Sequence, residues 1–157
     1  VLFRSLPIVG TTGDSSKLKA LLPGVEVIDG PDSSRQIASL SCDVVLNGIT
    51  GSIGLGPTLA ALEVGNKVAL ANKESLVAGG DLVMSHGRDR IIPVDSEHSA
   101  LFQAMSAGKL SDVEKVILTA SGGPFRDRDD LSSVTVADAL NHPTWSMGPV
   151  VTINSAT

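Results

Sequence analysis

The chain has 157 residues, 42% of them hydrophobic and 18% charged, with a net charge of −5; it is long enough for one ordinary domain that buries roughly 70% of its unfolded surface, and this composition excludes a disordered chain. The balance of 17 acidic against 12 basic side chains, only 3% aromatics and no Tyr argue against a nucleic-acid surface. No apolar run reaches the ~18 residues of a membrane span, and a single cysteine excludes a disulfide scaffold and fits a reducing cytoplasm.

Residues 1–5 fit what the tail of a common sequencing adapter encodes and are left out of the fold reading, and residues 1–15 are doubtful as native sequence. No signal-peptide pattern is visible; there is no initiator Met, and the last residues follow an apolar strand pattern without a terminating helix, so the chain is expected to be a fragment. An early apolar segment spans residues 25–28. Cys42 abuts the next strand and is expected to be a small core residue. Asp43-Val44-Val45-Leu46-Asn47 reads as a short buried strand, followed by the glycine-rich turn Gly48-Ile49-Thr50-Gly51-Ser52-Ile53-Gly54. Residues 57–64 carry apolar side chains at helical spacing, with Pro57 at the start and Gly65 after the end. Residues 67–71 form the next strand, and Asn72 can cap a helix over residues 73–86 with Glu74 in its first turn. A third strand covers residues 90–94, and residues 97–107 place Leu101, Ala104 and Met105 on one helical stripe. A fourth strand is expected over residues 113–120. Beyond Pro124 the texture changes: a charged loop at 126–130, a short helix at 134–140, an irregular stretch at 141–148, then an apolar strand pattern running into Asn154-Ser155-Ala156-Thr157.

Strands alternating with helices of ~10 residues imply parallel βαβ units, hence an α/β fold with a Rossmann-like, doubly wound, mostly parallel sheet. The change of texture puts a domain boundary near Val113, giving a partial nucleotide-binding domain over residues 1–112 and the start of an α+β domain over 113–157.

The run Pro93-Val94-Asp95-Ser96-Glu97-His98 is the most telling local feature. In an extended chain side chains repeat every second residue, so Asp95 and Glu97 would project together from a strand's C-terminal end, where open α/β sheets bind ligands. Two hard oxygen donors make half of a Mg²⁺ or Mn²⁺ site; the alternative is a solvated helix N-terminus. The glycines of residues 48–54 allow a tight turn and close approach of a phosphate to a helix N-terminus, or form an ordinary turn that only borders a cofactor. Asn72, Lys73 and Glu74 sit at the next strand-to-helix junction, where Lys73 can reach a phosphate or ribose hydroxyl; simple capping is the competing reading. Ser121-Gly122-Gly123 offers a hydroxyl and backbone donors to an anion, or is a plain turn. His142-Pro143-Thr144-Trp145-Ser146-Met147-Gly148 sets the only Trp on a loop suited to exclude water over a ligand, although a loop His is commonly just solvated. Four of these features fall at strand C-termini, on one rim.

In chain order, the segments LNGITGSIGLGPTLAAL, ALANKESLV, PVDSEHSALFQ, LTASGGPF, HPTWSMG and the closing NSAT resemble the 1-deoxy-D-xylulose 5-phosphate reductoisomerase family, over about residues 25–157 and with the spacing of bacterial members, actinobacterial ones among them. The resemblance implies rearrangement and reduction of that ketose phosphate to 2-C-methyl-D-erythritol 4-phosphate in non-mevalonate isoprenoid synthesis, with NADPH and Mg²⁺ or Mn²⁺. It implies Asp95 and Glu97 as metal ligands and, with Lys73, as the catalytic set. Ser96, Ser121, His142 and Ser155 would contact the substrate or its phosphate, and Trp145 would close over it. Asn72, Lys73, Glu74 and the turn containing Gly48 and Gly51 would border NADPH. A cytoplasmic homodimer acting on a small phosphorylated sugar, with no nucleic-acid or membrane partner, follows from the same likeness.

The family's glycine fingerprint is not found: Gly10-Thr11-Thr12-Gly13 is only superficially similar, and residues before about Ser16 match poorly. A third carboxylate ligand and an Asn-Lys pair are expected shortly after Thr157, so the chain by itself is expected to be inactive. The competing readings are another NADP-linked dehydrogenase of homoserine-dehydrogenase-like type and a non-catalytic phosphate- or metal-binding relative.

Overall fold

Short apolar runs alternate with helix-forming segments in this chain. Three of these alternations, through the helices Ser15–Leu21, Leu55–Glu63 and Glu74–Met84, set one strand parallel to the next, whereas the one through Ser33–Ala38 leads from a first sheet to a second. The computed structural model describes residues 8–119 and 122–154. Strand β1 (Ile8–Thr11), helix α1 (Ser15–Leu21) and strand β2 (Glu26–Asp29) form a parallel pair, with Ile8 opposite Glu26 and Thr11 opposite Asp29. Helix α2 (Ser33–Ala38) leads to β3 (Val44–Asn47), a 3₁₀ turn (Ser52–Gly54) and α3 (Leu55–Glu63). Then come β4 (Lys67–Leu70), α4 (Glu74–Met84) and β5 (Ile91–Pro93), and β3-β4-β5 form a second parallel sheet in that order. The α/β class expected from the alternation is the class adopted.

The core lies between β4 and the helices after each strand. Val68 and Leu70 face Ala60, Ala61 and Leu62 of α3, Val83 of α4 and Ala38 of α2, with Val45, Leu55, Leu59, Leu76 and Ile91 packed around them. Small residues let the helices approach closely: a Cβ built on Gly79 would lie 2.5 Å from Leu55 Cδ1. Gly65 takes φ +89 just after α3 and ends it in the left-handed conformation that glycine adopts without penalty. The neighbouring Asn66 is buried, accepts the Cys42 N–H at 3.1 Å and donates to the carbonyls of Ala38 and Leu40.

Residues up to Asp95 form one compact unit and those from Ser96 onward another. The second holds α5 (Ser96–Met105), α6 (Val136–Leu140) and α7 (Pro149–Asn154). The unit border thus falls earlier in the chain than the texture change near Val113. Thr135 and Asp138 cap α6 reciprocally, each side chain bonded to the other's backbone N–H.

Several expectations are corrected. An element not expected from the sequence, β1, covers Ile8–Thr11, and α1 begins at Ser15. Cys42 is exposed, because the Asn66 amide holds its segment at the surface before β3 begins. Strand β3 is buried on one side only: Asn47 is inside, while Leu46 on the opposite face is 69% exposed. The fourth strand is absent, since residues 113–119 take no regular structure. A strand needs a ladder partner, and among the described residues none pairs with this segment, whose Ile117 is 65% exposed. The apolar residues 150–153 are helical instead of extended: Pro149 occupies the first helical position and the Thr152 hydroxyl donates back to the Gly148 carbonyl at 3.0 Å.

Leu62, almost fully buried against β4, should be the most sensitive core position: Leu62→Ala is expected to lower stability by about 2–5 kcal/mol in denaturant unfolding. The Asp138 carboxyl is held below its ordinary value of 3.8 by hydrogen bonds from the Thr135 hydroxyl and N–H. A lowered folded-state value means that the cap contributes above the ordinary carboxylate range and is lost as pH falls through the lowered value. The protection of the α6 amides, taken relative to their intrinsic exchange rates at each pH, should therefore fall below about pH 4, and in Asp138→Asn that loss of protection with pH should vanish.

Candidate functional site

In a parallel sheet the C-terminal strand ends lie side by side, and here the chain leaving each strand is stitched to its neighbour. The Asn47 carbonyl, ending β3, accepts the N–H groups of Ala71 and Asn72 at 3.0 and 3.2 Å; the Leu70 carbonyl, ending β4, accepts those of Val94 and Asp95 at 3.0 and 3.4 Å. Asn47, Asn72, Lys73 and Asp95 are thereby aligned along one edge.

Behind that edge runs a buried polar network. The Asn47 Nδ2 donates to the Gly54 carbonyl at 2.8 Å and to Thr58 Oγ1 at 2.7 Å, and its Oδ1 accepts the Ile49 N–H at 3.1 Å. Thr58 Oγ1 is within 3.2 Å of Ser75 Oγ, which in turn donates to Asn72 Oδ1. Asn72 Oδ1 also accepts the Ser75 N–H at 2.8 Å, capping the first turn of α4 as expected, while its Nδ2 donates to the carbonyls of Ile49 and Gly51. Asn47, Thr58, Asn72 and Ser75 are all buried, and no buried side-chain polar atom among the described residues lacks a partner. Both ends of the Asn72 amide are thus engaged inside the protein, where they shape the turn at residues 48–54.

The same network explains the glycines. Gly51 takes φ +83, which demands glycine; a Cβ on Gly54 would lie 2.8 Å from Asn72 Nδ2; and Gly48 is exposed, with open space for 4 Å around the place a Cβ would take. Two of the three are required by conformation and by Asn72, before any ligand is considered.

Lys73 and Asp95, one residue further along their loops, form an ion pair with Lys73 Nζ 3.0 Å from Asp95 Oδ1; the carboxylate side chain is 12% exposed and the lysine 51%. Glu74 lies in the first turn of α4, half-buried. In the second unit Ser96 opens α5, and its hydroxyl donates to Glu97 Oε2 at 2.9 Å. The extended arrangement that would align Asp95 with Glu97 by strand alternation does not occur, because β5 ends at Pro93 and Glu97 already belongs to a helix. His142 Nδ1 accepts the N–H groups of Thr144 and Trp145 at 3.1 and 3.0 Å, so a neutral ring carries its proton on Nε2, and Trp145 is 60% exposed. Ser121 and Ser155 lie outside the described residues. Among the described residues no three His, Cys, Asp or Glu side chains gather into a metal site, and no helix is long and apolar enough to cross a membrane.

Sequence reasoning missed a crevice of about 480 Å³ at the ends of β1 and β3, lined by Gly10, Thr11, Thr12, Ser33, Asn47 and Ile49 among others. A second hollow, which shares Thr12, Ser34 and Ile49 with it, adds Arg35. The available signal was Gly10-Thr11-Thr12-Gly13 directly after an apolar run.

Comparison with known proteins covers almost the whole chain. The family model described as 1-deoxy-D-xylulose 5-phosphate reductoisomerase matches residues 7–80, and the model of that enzyme's C-terminal domain matches residues 91–157. The match from residue 7 corrects the expectation of poor agreement before Ser16. The chain is 63% identical over 138 residues to the 1-deoxy-D-xylulose 5-phosphate reductoisomerase of Streptomyces coelicolor, covering 86% of this chain and 33% of that protein. To its namesake in Kitasatospora griseola it is 59% identical over 138 residues, covering 86% and 36%. The chain thus spans about a third of the length of these relatives. Among solved structures, the reductoisomerase of Zymomonas mobilis in complex with NADPH superposes with a TM-score of 0.74 at 38% identity, over 96% of this chain and 41% of that one. A DOX-P reductoisomerase in complex with NADPH, fosmidomycin and magnesium gives 0.69 at 34% identity, over 95% and 42%.

Removing the Asn72 amide strands buried carbonyls and the Ser75 N–H, so Asn72→Ala is expected to lower stability by about 1–3 kcal/mol. Asn72→Asp, which sets a carboxylate against two carbonyl oxygens, should lower it at least as much. Amide exchange should speed up first in residues 48–54 and the first turn of α4; unchanged exchange there in both variants would show that the network does not hold the edge.

Proposed function

Since the chain belongs to the 1-deoxy-D-xylulose 5-phosphate reductoisomerase family, we propose that the full-length protein converts 1-deoxy-D-xylulose 5-phosphate to 2-C-methyl-D-erythritol 4-phosphate, using NADPH and Mg²⁺ or Mn²⁺, on the non-mevalonate route to isoprenoids. The observation that carries the reading is the sheet edge: a largely buried carboxylate, Asp95, held 3.0 Å from a cationic group at the ligand-binding end of a parallel sheet.

The donors fit a hard divalent cation. Mg²⁺ is commonly held by one or two carboxylates, with water and substrate oxygens completing the shell; Asp95 and Glu97 supply two such groups. The rearrangement breaks and remakes a carbon–carbon bond beside the ketone, and the resulting aldehyde is then reduced. When bound, the cation supplies positive charge to the ketone and neighbouring hydroxyl oxygens, and the nicotinamide supplies hydride. Asp95 and Glu97 hold that charge in place, and Ser96 contacts the substrate beside them. Lys73 offers its ammonium to the substrate or cofactor. Asn72, Glu74 and the turn with Gly48 and Gly51 form the wall facing the cofactor, while Thr11, Thr12 and Ser34 give the crevice hydroxyls and Arg35 gives the adjoining hollow a positive charge, a combination suited to part of a nucleotide. Ser121, His142 and Ser155 take the phosphate or hydroxyls of the sugar, with the His142 Nε2–H as donor, and Trp145 excludes water. A cytoplasmic homodimer is part of the same reading and rests on the family alone.

In the full-length protein, NADPH consumption should require both 1-deoxy-D-xylulose 5-phosphate and a divalent cation. Asp95→Asn should lower kcat by about 10²–10³-fold with the fold intact by circular dichroism. Absence of substrate-dependent NADPH oxidation in the wild type would overturn the activity, and an undiminished kcat in Asp95→Asn would remove the assigned metal role.

A further inference from the structure

We infer that Lys73 is a resident substitute for the divalent cation: its ammonium holds the Asp95 carboxylate until a metal takes its place, so that the two cations compete for one carboxylate. This rests on the reading above that Asp95 ligates the metal, and adds a positioning role for Lys73.

The two partners are unequal. Asp95 is the fixed one: its N–H is bonded to the end of β4, and its side chain is only 12% exposed. A carboxylate so far removed from water is costly to leave without positive charge nearby. Lys73 is the movable one, 51% exposed on a flexible four-carbon stem. Its backbone is nevertheless anchored, because its carbonyl accepts the N–H groups of Leu76 and Val77 and the preceding Asn72 side chain is locked in the buried network. The fold therefore fixes where the stem starts, while about half of the side chain stays open to solvent. Asp95 would hold a divalent cation with the same oxygens that now face the lysine, so Lys73 would have to give up this contact for the cation to bind, and its ammonium would be left to an anionic group of substrate or cofactor.

The test uses Mn²⁺ alone, added to the full-length protein without substrate or cofactor, with free Mn²⁺ followed by electron paramagnetic resonance. Lys73→Met should bind Mn²⁺ about tenfold more tightly than the wild type, a reduced value because the half-exposed ammonium is partly screened. Lys73→Arg, which keeps the charge, should stay near wild type, and Asp95→Asn should bind at least about tenfold more weakly. By linkage, Lys73→Met should melt below wild type without metal and gain more from saturating Mn²⁺. If Lys73→Met does not fold, Lys73→Gln is expected to show the same tightening. Equal or weaker Mn²⁺ binding by the neutral variants, with Asp95→Asn impaired, would overturn the competition while leaving the metal reading standing. Unchanged binding in Asp95→Asn would instead overturn the metal reading itself.

Discussion

The sheet edge depends on one buried amide. Asn72 sits between residues 48–51, which have no regular structure of their own, and a helix whose first turn needs a cap, and its side chain satisfies both. Because Nδ2 can only donate and Oδ1 only accept, no isosteric residue serves both sides: Asp loses the donors and Leu loses everything. That polarity sets the bonds made by Asn72: Ser75 must donate to Oδ1, while the Thr58 hydroxyl accepts from Asn47 and has one proton to share between the Ser75 oxygen at 3.2 Å and the Gly54 carbonyl at 3.0 Å. The loop is thus tied to the first turn of α4 through the Asn72 side chain.

The rigidity of the edge gives the Lys73–Asp95 pair its meaning. An exposed ion pair between two flexible side chains contributes little and indicates little. Here one partner is largely withdrawn from water and both backbones are tied down, so the pair records a place where the fold requires positive charge. The helix that starts at Ser96 carries Glu97 in its first turn, where a carboxylate is favoured by the helix dipole. Negative charge is thus stabilised at successive positions of one short segment by different means, one through a cation and the other through peptide dipoles.

What the sequence discloses follows the range of the interactions involved. The βα alternation, the Gly65 end of α3, the capping role of Asn72 and a short helix within residues 134–140 are local, and local chemistry reveals them; α3 itself starts at Leu55, two residues before the Pro57 start expected. The strand expected over residues 113–120 fails for the opposite reason: β propensity is visible in Val-Ile-Leu, whereas the ladder partner that makes a strand is not. Cys42 escapes a local reading because Asn66, 24 residues away, decides where its segment runs. At the site, Asp95 and Lys73 are legible as chemistry-bearing types near strand ends. Asn47, Thr58 and Ser75 are not, since a buried Thr and Ser in amphipathic helices look like ordinary helix residues until the second helix is set against the first. Strand β1 and its Gly10-Thr11-Thr12-Gly13 turn make a poor motif, yet a parallel pair asks only for an apolar run and a helical crossover, and both are present.

The small core explains why polar groups carry so much of this region. α3 contributes Ala60 and Ala61 to the interior and α4 presents Gly79 to Leu55, so the two helices come close but bury little apolar area per residue. Close helices bring Thr58 and Ser75 within hydrogen-bond reach, and bulkier core residues would separate them. The same choice of residues that limits the hydrophobic contribution therefore creates the directional contacts that fix Asn72. Enlarging the core would add apolar burial, pry apart the Thr58–Ser75 contact and release the loop that shapes the ligand-facing edge. At this helix pair apolar packing and the polar network therefore compete for the same space.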